Sequence, residues 1–359
     1  MNTHENIDQP ADHPLRLVII GCGNIATAWL DPLAARTDVQ MVGLVDLDAD
    51  RARERRDTYA PDAAIGNDPA AMIDELRPDI VIDLTIPEAH ADIACMALER
   101  GCHVLSEKPM AASMAAAKRI LDAAQASGKV HAVMQNRRYL PGIRRVRQML
   151  DSGAIGPLTE IHADFYIGAH FGGFRDSMAH VLLLDMAIHT VDQGRFLGDL
   201  TPLAVNAVEW NPPGSWYERD ASAMLVVECA GGIRLSYRGS WCAEGTGTSW
   251  QADWRLIGRQ GQIRWDGDDG ISGTFIDPST SGFQREAHPL TLPPVTERQH
   301  TGHAGCIDDM LQCIRAGRLP PTHGTDNIHS LAIIHAAIAS AEAGGARIAI
   351  ADLSDQGSP

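Results

Sequence analysis

The stretch that most limits what this chain can become is Leu17-Val18-Ile19-Ile20 followed by Gly21-Cys22-Gly23-Asn24-Ile25-Ala26. Four apolar residues, the last three β-branched, suit a strand covered on both faces. The glycines then fall in the spacing G-x-G-x-x-A. Gly21 permits a tight turn out of the strand. Gly23 lacks a Cβ, so a pyrophosphate can approach the backbone. Ala26 is small enough for a helix to pack on the strand. A helix over residues 24–35 points its free N–H groups and positive end at the phosphates, with Asn24 and Ile25 in its first turn. A second strand, residues 41–45, ends at Asp46, 20 residues beyond Ala26. An acid there bonds the adenosine ribose hydroxyls. Its charge repels a 2′-phosphate and no Arg follows it directly, so the expected cofactor is NAD rather than NADP.

The rest of the chain narrows the setting. Its 359 residues are enough for two domains, and 45% apolar with 21% charged residues is ordinary for a globular protein. A net charge of −16 argues against a nucleic-acid partner. Residues 1–14 are polar, with no apolar core of a leader peptide, and no run is long and apolar enough to span a membrane. The seven cysteines are odd in number and scattered, with no C-x-x-C pair. They read as free thiols of a cytoplasmic protein, not as a disulfide or metal framework.

Strand and helix patterns alternate through residue 134, which predicts a doubly wound parallel sheet with right-handed crossovers. This dinucleotide-binding Rossmann domain is expected over residues 15–137. Beyond it strands dominate, at 158–167, 204–210, 223–229, 233–241, 250–257 and 262–265. Turns at 230–232 and 258–261 make hairpins of their neighbours. Residues 138–353 therefore read as an α+β domain on an open, mostly antiparallel sheet with helices on one side. Within strand 223–229 neither alternating set is cleanly polar, which predicts that both faces are covered, one by a partner subunit in a homodimer or homotetramer.

Ligands of an open parallel sheet bind beyond the carboxyl ends of its strands. The loops expected there are 21–25, 85–90 and 106–109. Lys108 is the only cation at the end of its strand. In the second domain Asp185, His189 and Asp192 stand at i, i+4 and i+7 in an apolar helical pattern, one face of a uniform helix. Burying two carboxylates and an imidazole there is costly unless they are paired or working.

These residues resemble the Gfo/Idh/MocA oxidoreductases, which include inositol dehydrogenases and glucose-fructose oxidoreductase. The resemblance rests on Gly21-x-Gly23-x-x-Ala26, Thr85-Ile86-Pro87 with His90, Glu107-Lys108-Pro109, Asn136-Arg137-Arg138-Tyr139, Gly153-Ala154-Ile155-Gly156 and Asp185-x-x-x-His189-x-x-Asp192. It implies cofactor contacts from Gly21, Gly23, Asn24, Ile25, Asp46, Thr85, Pro87, His90, Glu107 and Lys108. It also implies catalytic roles for Lys108, Asp185 and His189, and a cis proline after Lys108. The substrate class it implies is a sugar, cyclitol or related polyol, oxidised at a secondary hydroxyl by an NAD-dependent dehydrogenase; no metal is implied.

That chemistry needs a base, which a neutral His189 supplies, and a cation for the developing alkoxide, which Lys108 supplies. Asp185 then anchors a substrate hydroxyl. The chain departs from the family where a glycine pair commonly precedes the helix Asp: the pair here, Gly172-Gly173, lies further upstream. Arg138, Arg175 and His180 are accordingly candidate substrate residues. Two alternatives stay open: a glycoside-cleaving enzyme with transient ring oxidation, using a second base such as His180, and a non-catalytic NAD-bound sensor.

Overall fold

In the computed structural model, residues 13–294 and 300–351 are described. The expectations for residues 1–12 and for 352–353 lie outside them. The chain divides into two units. The described part of the first comprises residues 13–112, 116–134 and 303–326, and that of the second 113–115, 135–294, 300–302 and 327–351.

The first unit opens with β1 (Leu15–Ile20), α1 (Ala26–Ala34), β2 (Val39–Val45), α2 (Ala49–Tyr59) and β3 (Ala64–Gly66). It continues through α3 (Pro69–Leu76), β4 (Ile80–Asp83), α4 (Pro87–Glu99), β5 (His103–Ser106), α5 (Met114–Ser127) and β6 (His131–Val133). The strands form a six-stranded sheet in the order β3-β2-β1-β4-β5-β6, with every pair parallel. Leu17, Val18, Ile19 and Ile80, Val81, Ile82 are fully or almost fully buried, as strands covered on both faces must be. The helices start where short side chains satisfy their first N–H groups: Asp48 accepts from Asp50 N, and Asp68 from Ala70 N and Ala71 N. Each such cap is worth about 1 kcal/mol. Pro87 opens α4 at a position that needs no N–H.

Strand order reverses between β1 and β4, which opens a crevice at the carboxyl edge. The register pairs Ile20 with both Val45 and Asp83, and Asp83 with Ser106. Gly21, Asp46, Leu84 and Glu107 therefore leave the sheet at one level. The sequence reading missed β3, only three residues long.

The second unit carries α6 (Pro141–Asp151), β7 (Leu158–Tyr166), the one-turn α7 (Phe174–Ser177), a π-helical segment Leu182–Ala187 and α8 (Ile188–Gly198). Then come β8 (Pro202–Trp210), β9 (Ser222–Cys229), β10 (Arg234–Ser240), β11 (Asp253–Gly258), β12 (Gly261–Trp265), β13 (Ile271–Ile276), β14 (Ala287–Pro289) and β15 (Ile348–Ala349). They make a nine-stranded sheet in the order β14-β13-β12-β11-β7-β10-β9-β8-β15. Only the β7–β10 pair is parallel. The mostly antiparallel sheet was expected; β13 and β14 were not. One face, with Ile161, Phe165, Leu225, Val227, Leu235 and Leu256, shares a core with Ile143, Val146, Leu183 and Val191 of the helices. The other face leaves Met224 and Val226 each 43% exposed. Among the described residues no helix is long and apolar enough to cross a membrane.

Candidate active site

At the carboxyl edge of the first sheet the glycine loop has the geometry its spacing predicts. Gly21 sits at φ +97°, and a Cβ there would lie 2.6 Å from Leu84 O, so only glycine lets the loops after β1 and β4 approach so closely. A Cβ on Gly23 would meet nothing within 4 Å: the space before it is open. Asn24 and Ile25 are exposed beside that space. The following helix has no side-chain cap and no acid in its first turn, so its positive end is left to an anionic group. It begins at Ala26 rather than Asn24 because Ala26 N closes a turn on Gly23 O at 3.1 Å.

Asp46 lies at the tip of β2 and fastens the same loop. Its Oδ2 accepts Cys22 N–H at 2.7 Å and its Oδ1 accepts Asp48 N–H at 2.8 Å. The Cys22 thiol is buried, and burial reinforced by Asp46 pushes its pKa up to about 12, so it is chemically inert. Arg55 reaches the carbonyls of Cys22 and Gly23 at 3.4 Å each. This cation beside the phosphate loop comes from an Arg-rich helix with no pattern to single it out, and the sequence reading passed over it. The open cradle, the uncapped helix and the acid at the tip of β2 together fit a dinucleotide.

After β4, Thr85 and Pro87 are partly exposed at this edge. His90 is not: it has no exposed surface. Its Nδ1 lies 2.8 Å from Pro109 O and its Nε2 3.1 Å from Thr85 O. It ties two loops together from behind instead of facing a cofactor. Glu107, 6% exposed, is likewise a clamp. It accepts the Trp29 indole N–H at 2.7 Å and the Lys108 backbone N–H at 3.0 Å. Burial pushes its carboxyl up, but His303, Trp29 and Lys108 outweigh burial and hold it below the usual range. Both expectations of direct cofactor contact are corrected in this way: His90 faces two backbone carbonyls, whereas Glu107 is engaged by the Trp29 indole as well as by the backbone of Lys108. Lys108 is half-buried and the Lys108–Pro109 bond is cis. Asp83, unremarked in the sequence, is fully buried; burial raises its pKa although Thr85 hydrogen-bonds its Oδ1.

In the second unit the expected stripe is broken by the π segment. Asp185 lies within it, whereas His189 and Asp192 lie on α8. A π turn holds more residues than an α turn, so Asp185 is rotated away from the place uniform α geometry assigns it. Each acid has its own cation. Asp185 receives Arg175 Nε at 2.8 Å and Nη2 at 3.3 Å. Asp192 receives Arg138 Nε at 2.7 Å and Nη2 at 2.6 Å in a pair that is almost wholly buried. That pairing makes Arg138 a strut, not the substrate contact the sequence suggested. His189 is 9% exposed. His180, in the left-handed region at φ +52°, places Nδ1 2.6 Å from Glu209 Oε2. The bond to Glu209 outweighs burial and raises its pKa.

The first unit has the fold and phosphate cradle of an NAD-binding oxidoreductase domain. Residues 15–135 match the family described as "Oxidoreductase family, NAD-binding Rossmann fold", and residues 143–264 match the "GFO/IDH/MocA C-terminal domain". The chain belongs to the GFO/IDH/MocA family. An uncharacterized protein of Sinorhizobium fredii is 27% identical over 350 residues, 92% of this chain and 94% of that protein. The D-glucoside 3-dehydrogenase of Escherichia coli is 29% identical over 209 residues, 56% of this chain and 59% of the relative. Among solved structures, an oxidoreductase from Agrobacterium radiobacter in complex with NAD+, L-tartaric acid and magnesium shares the fold, with a TM-score of 0.81, 22% identity and coverage of 94% of this chain and 99% of that one.

Proposed function

We propose that this chain is an NAD-dependent dehydrogenase acting on a secondary hydroxyl of a sugar, cyclitol or related polyol. The observation that carries the reading is the clamp on Lys108: Glu107 and His90 hold the backbone on either side of it, at the sheet edge where the phosphate cradle lies. A merely solvated lysine needs no such support. NAD, when bound, would supply the hydride acceptor. The chain's residues do the rest. His189 takes the hydroxyl proton, Lys108 stabilises negative charge developing on the oxygen, and Asp185, steadied by Arg175, accepts a second substrate hydroxyl. A carboxylate that receives a forked guanidinium still has lone pairs for that bond. The name of the E. coli relative, for oxidation at a ring position of a glucoside, supports a cyclic substrate.

The test is incubation of the pure protein with NAD and a panel of cyclitols, aldoses and glycosides, following both NADH absorbance and product. NADH formed in step with a keto product is the expected result. Turnover of a glycoside with no NADH accumulated points instead to ring cleavage with recycled cofactor, and no turnover with any member removes the reading. Self-association through the open sheet face is part of the same proposal. Met224 and Val226 supply apolar surface there, and Arg238 with Asp164 a charged rim. Light scattering should give a dimer or tetramer mass that Val226→Lys lowers; a monomer mass at micromolar concentration defeats it.

A further inference from the structure

The loop between β7 and α7, together with Trp250, builds an aromatic surface that no role assigned above uses. Phe171 is 40% and Trp250 48% exposed, their ring centroids 6.4 Å apart. Both rest on Trp241, with centroids at 5.1 and 5.7 Å, and Trp241 in turn packs edge-on against Phe165 at 5.0 Å. Trp241 and Phe165 are buried, so the two exposed rings stand on a rigid floor. The loop is pinned below as well: the Trp216 indole N–H and the Tyr217 hydroxyl both donate to Ala169 O, at 2.9 and 2.5 Å.

The Phe171 ring and the Trp250 backbone are each tied to the π segment that carries Asp185. Arg175 lies over Phe171, 5.0 Å from its centroid, and over Phe174 at 4.8 Å, while its guanidinium forks onto Asp185. Arg137 donates to Trp250 O and, at 3.3 Å, to Met186 Sδ, the residue after Asp185. The aromatic wall is therefore joined through Arg175 to the carboxylate expected to hold a substrate hydroxyl, and through Arg137 to the residue that follows it. Half-exposed aromatics with a few fixed polar groups at one end are the composition of a small-molecule site. Two rings offer room for one more ring-sized group, far less than a protein interface needs.

We propose that Phe171 and Trp250 form a subsite for the apolar, ring-bearing aglycone of a glycoside whose sugar is held at Asp185. The inference rests on the proposed oxidation of that sugar and narrows its substrate class from free cyclitols to glycosides. The aglycone stacks on the two rings, and the polar rim of Arg137, Arg175 and Asp185 faces the sugar.

The experiment compares p-nitrophenyl and methyl gluco- and galactosides on the NAD-loaded protein. It uses calorimetric Kd, which requires no turnover, alongside KM and kcat from NADH formation. The unmutated protein should bind the aryl member of a pair about tenfold more tightly. Trp250→Ala and Phe171→Ala should bring the aryl-to-methyl ratio toward one, and Trp250→Phe should keep most of it. An aryl preference that these variants abolish, with no NADH formed, keeps the subsite and removes the oxidation reading. NADH formed equally well from both members, with equal Kd values, does the opposite. No binding by any glycoside, an unchanged ratio in the variants, or a fall in light-scattering mass on Trp250→Ala overturns the subsite.

Discussion

Arg138 and Asp192 form a two-point ion pair, at 2.7 and 2.6 Å, in the interior of the second unit, with side chains 5% and 2% exposed. Ser330 donates a third bond to Asp192 at 2.8 Å and itself receives Arg195 at 2.9 Å. The network fastens α8, and His189 with it, to the chain entering α6 and to the helix Gly324–Glu342. Asp192→Ala leaves a buried guanidinium without its counter-charge, a loss of about 3–5 kcal/mol. Replacing both partners by apolar residues of like volume should cost far less. Urea denaturation of the single and double variants checks both statements; a loss under about 1 kcal/mol for Asp192→Ala means the pair holds nothing.

Asp46 is the residue on which the proposed preference for NAD over NADP turns. It stands where the adenosine ribose is expected, and Arg55 lies beside the adjoining loop. With Asp46 present, its charge opposes a 2′-phosphate. In Asp46→Ala the repulsion is gone while Arg55 stays, so NADP binding should gain as NAD binding loses. Hydrogen bonds to a charged group are worth about 1.5–3 kcal/mol, so NAD affinity should fall by about one to two orders of magnitude. Fluorescence titration measures both. NADP binding more tightly than NAD to the unmutated protein contradicts the assignment.

The sequence announced what depends on short-range pattern. The glycine spacing, the acid after β2 and the strand–helix alternation each follow from local sterics and period, and the six-stranded parallel sheet follows from them. What lay hidden depends on contacts between residues far apart. Glu107 reads as part of an edge motif, yet its carboxylate is committed to Trp29, 78 positions away. Arg138 reads as a candidate substrate residue, yet it is held by Asp192 from 54 positions away. The π segment has no signature in apolar period, since its residues also suit an α-helix, so the stripe of Asp185, His189 and Asp192 was drawn too regular.

His180 makes stability depend on pH. It faces Glu209 at 2.6 Å and Glu342 at 3.8 Å, with Asp220 further off, and these acids raise its folded-state pKa above the ordinary value near 6.5. The folded protein therefore holds the proton more tightly than the unfolded chain. This stabilisation is complete below pH of about 6.5 and disappears as pH rises through the raised pKa. His180→Asn, which tolerates the left-handed backbone, should flatten that slope at pH values above about 6.5. Urea midpoints across the range decide it: an equal slope in the variant excludes His180 as its source.

Lys108 and His189 are the sharpest test of the chemistry. Lys108 belongs to the first unit and is clamped through its backbone by Glu107; His189 belongs to the second and sits in the first turn of α8. If His189 takes the proton and Lys108 steadies the oxygen it leaves, both act on one hydroxyl in one step. Removing either should lower kcat by about 10²–10⁴-fold. NAD affinity should stay nearly unchanged, because neither residue holds the adenosine half. The double variant should lose less than the product of the two single losses, as groups acting in one step do. In the oxidising direction kcat/KM should rise with pH through one ionisation, which His189→Ala removes. Lys108→Arg, which keeps the charge, should recover more activity than Lys108→Ala. Near-normal kcat in both alanine variants with the true substrate would disprove the mechanism and leave the fold and the cofactor standing.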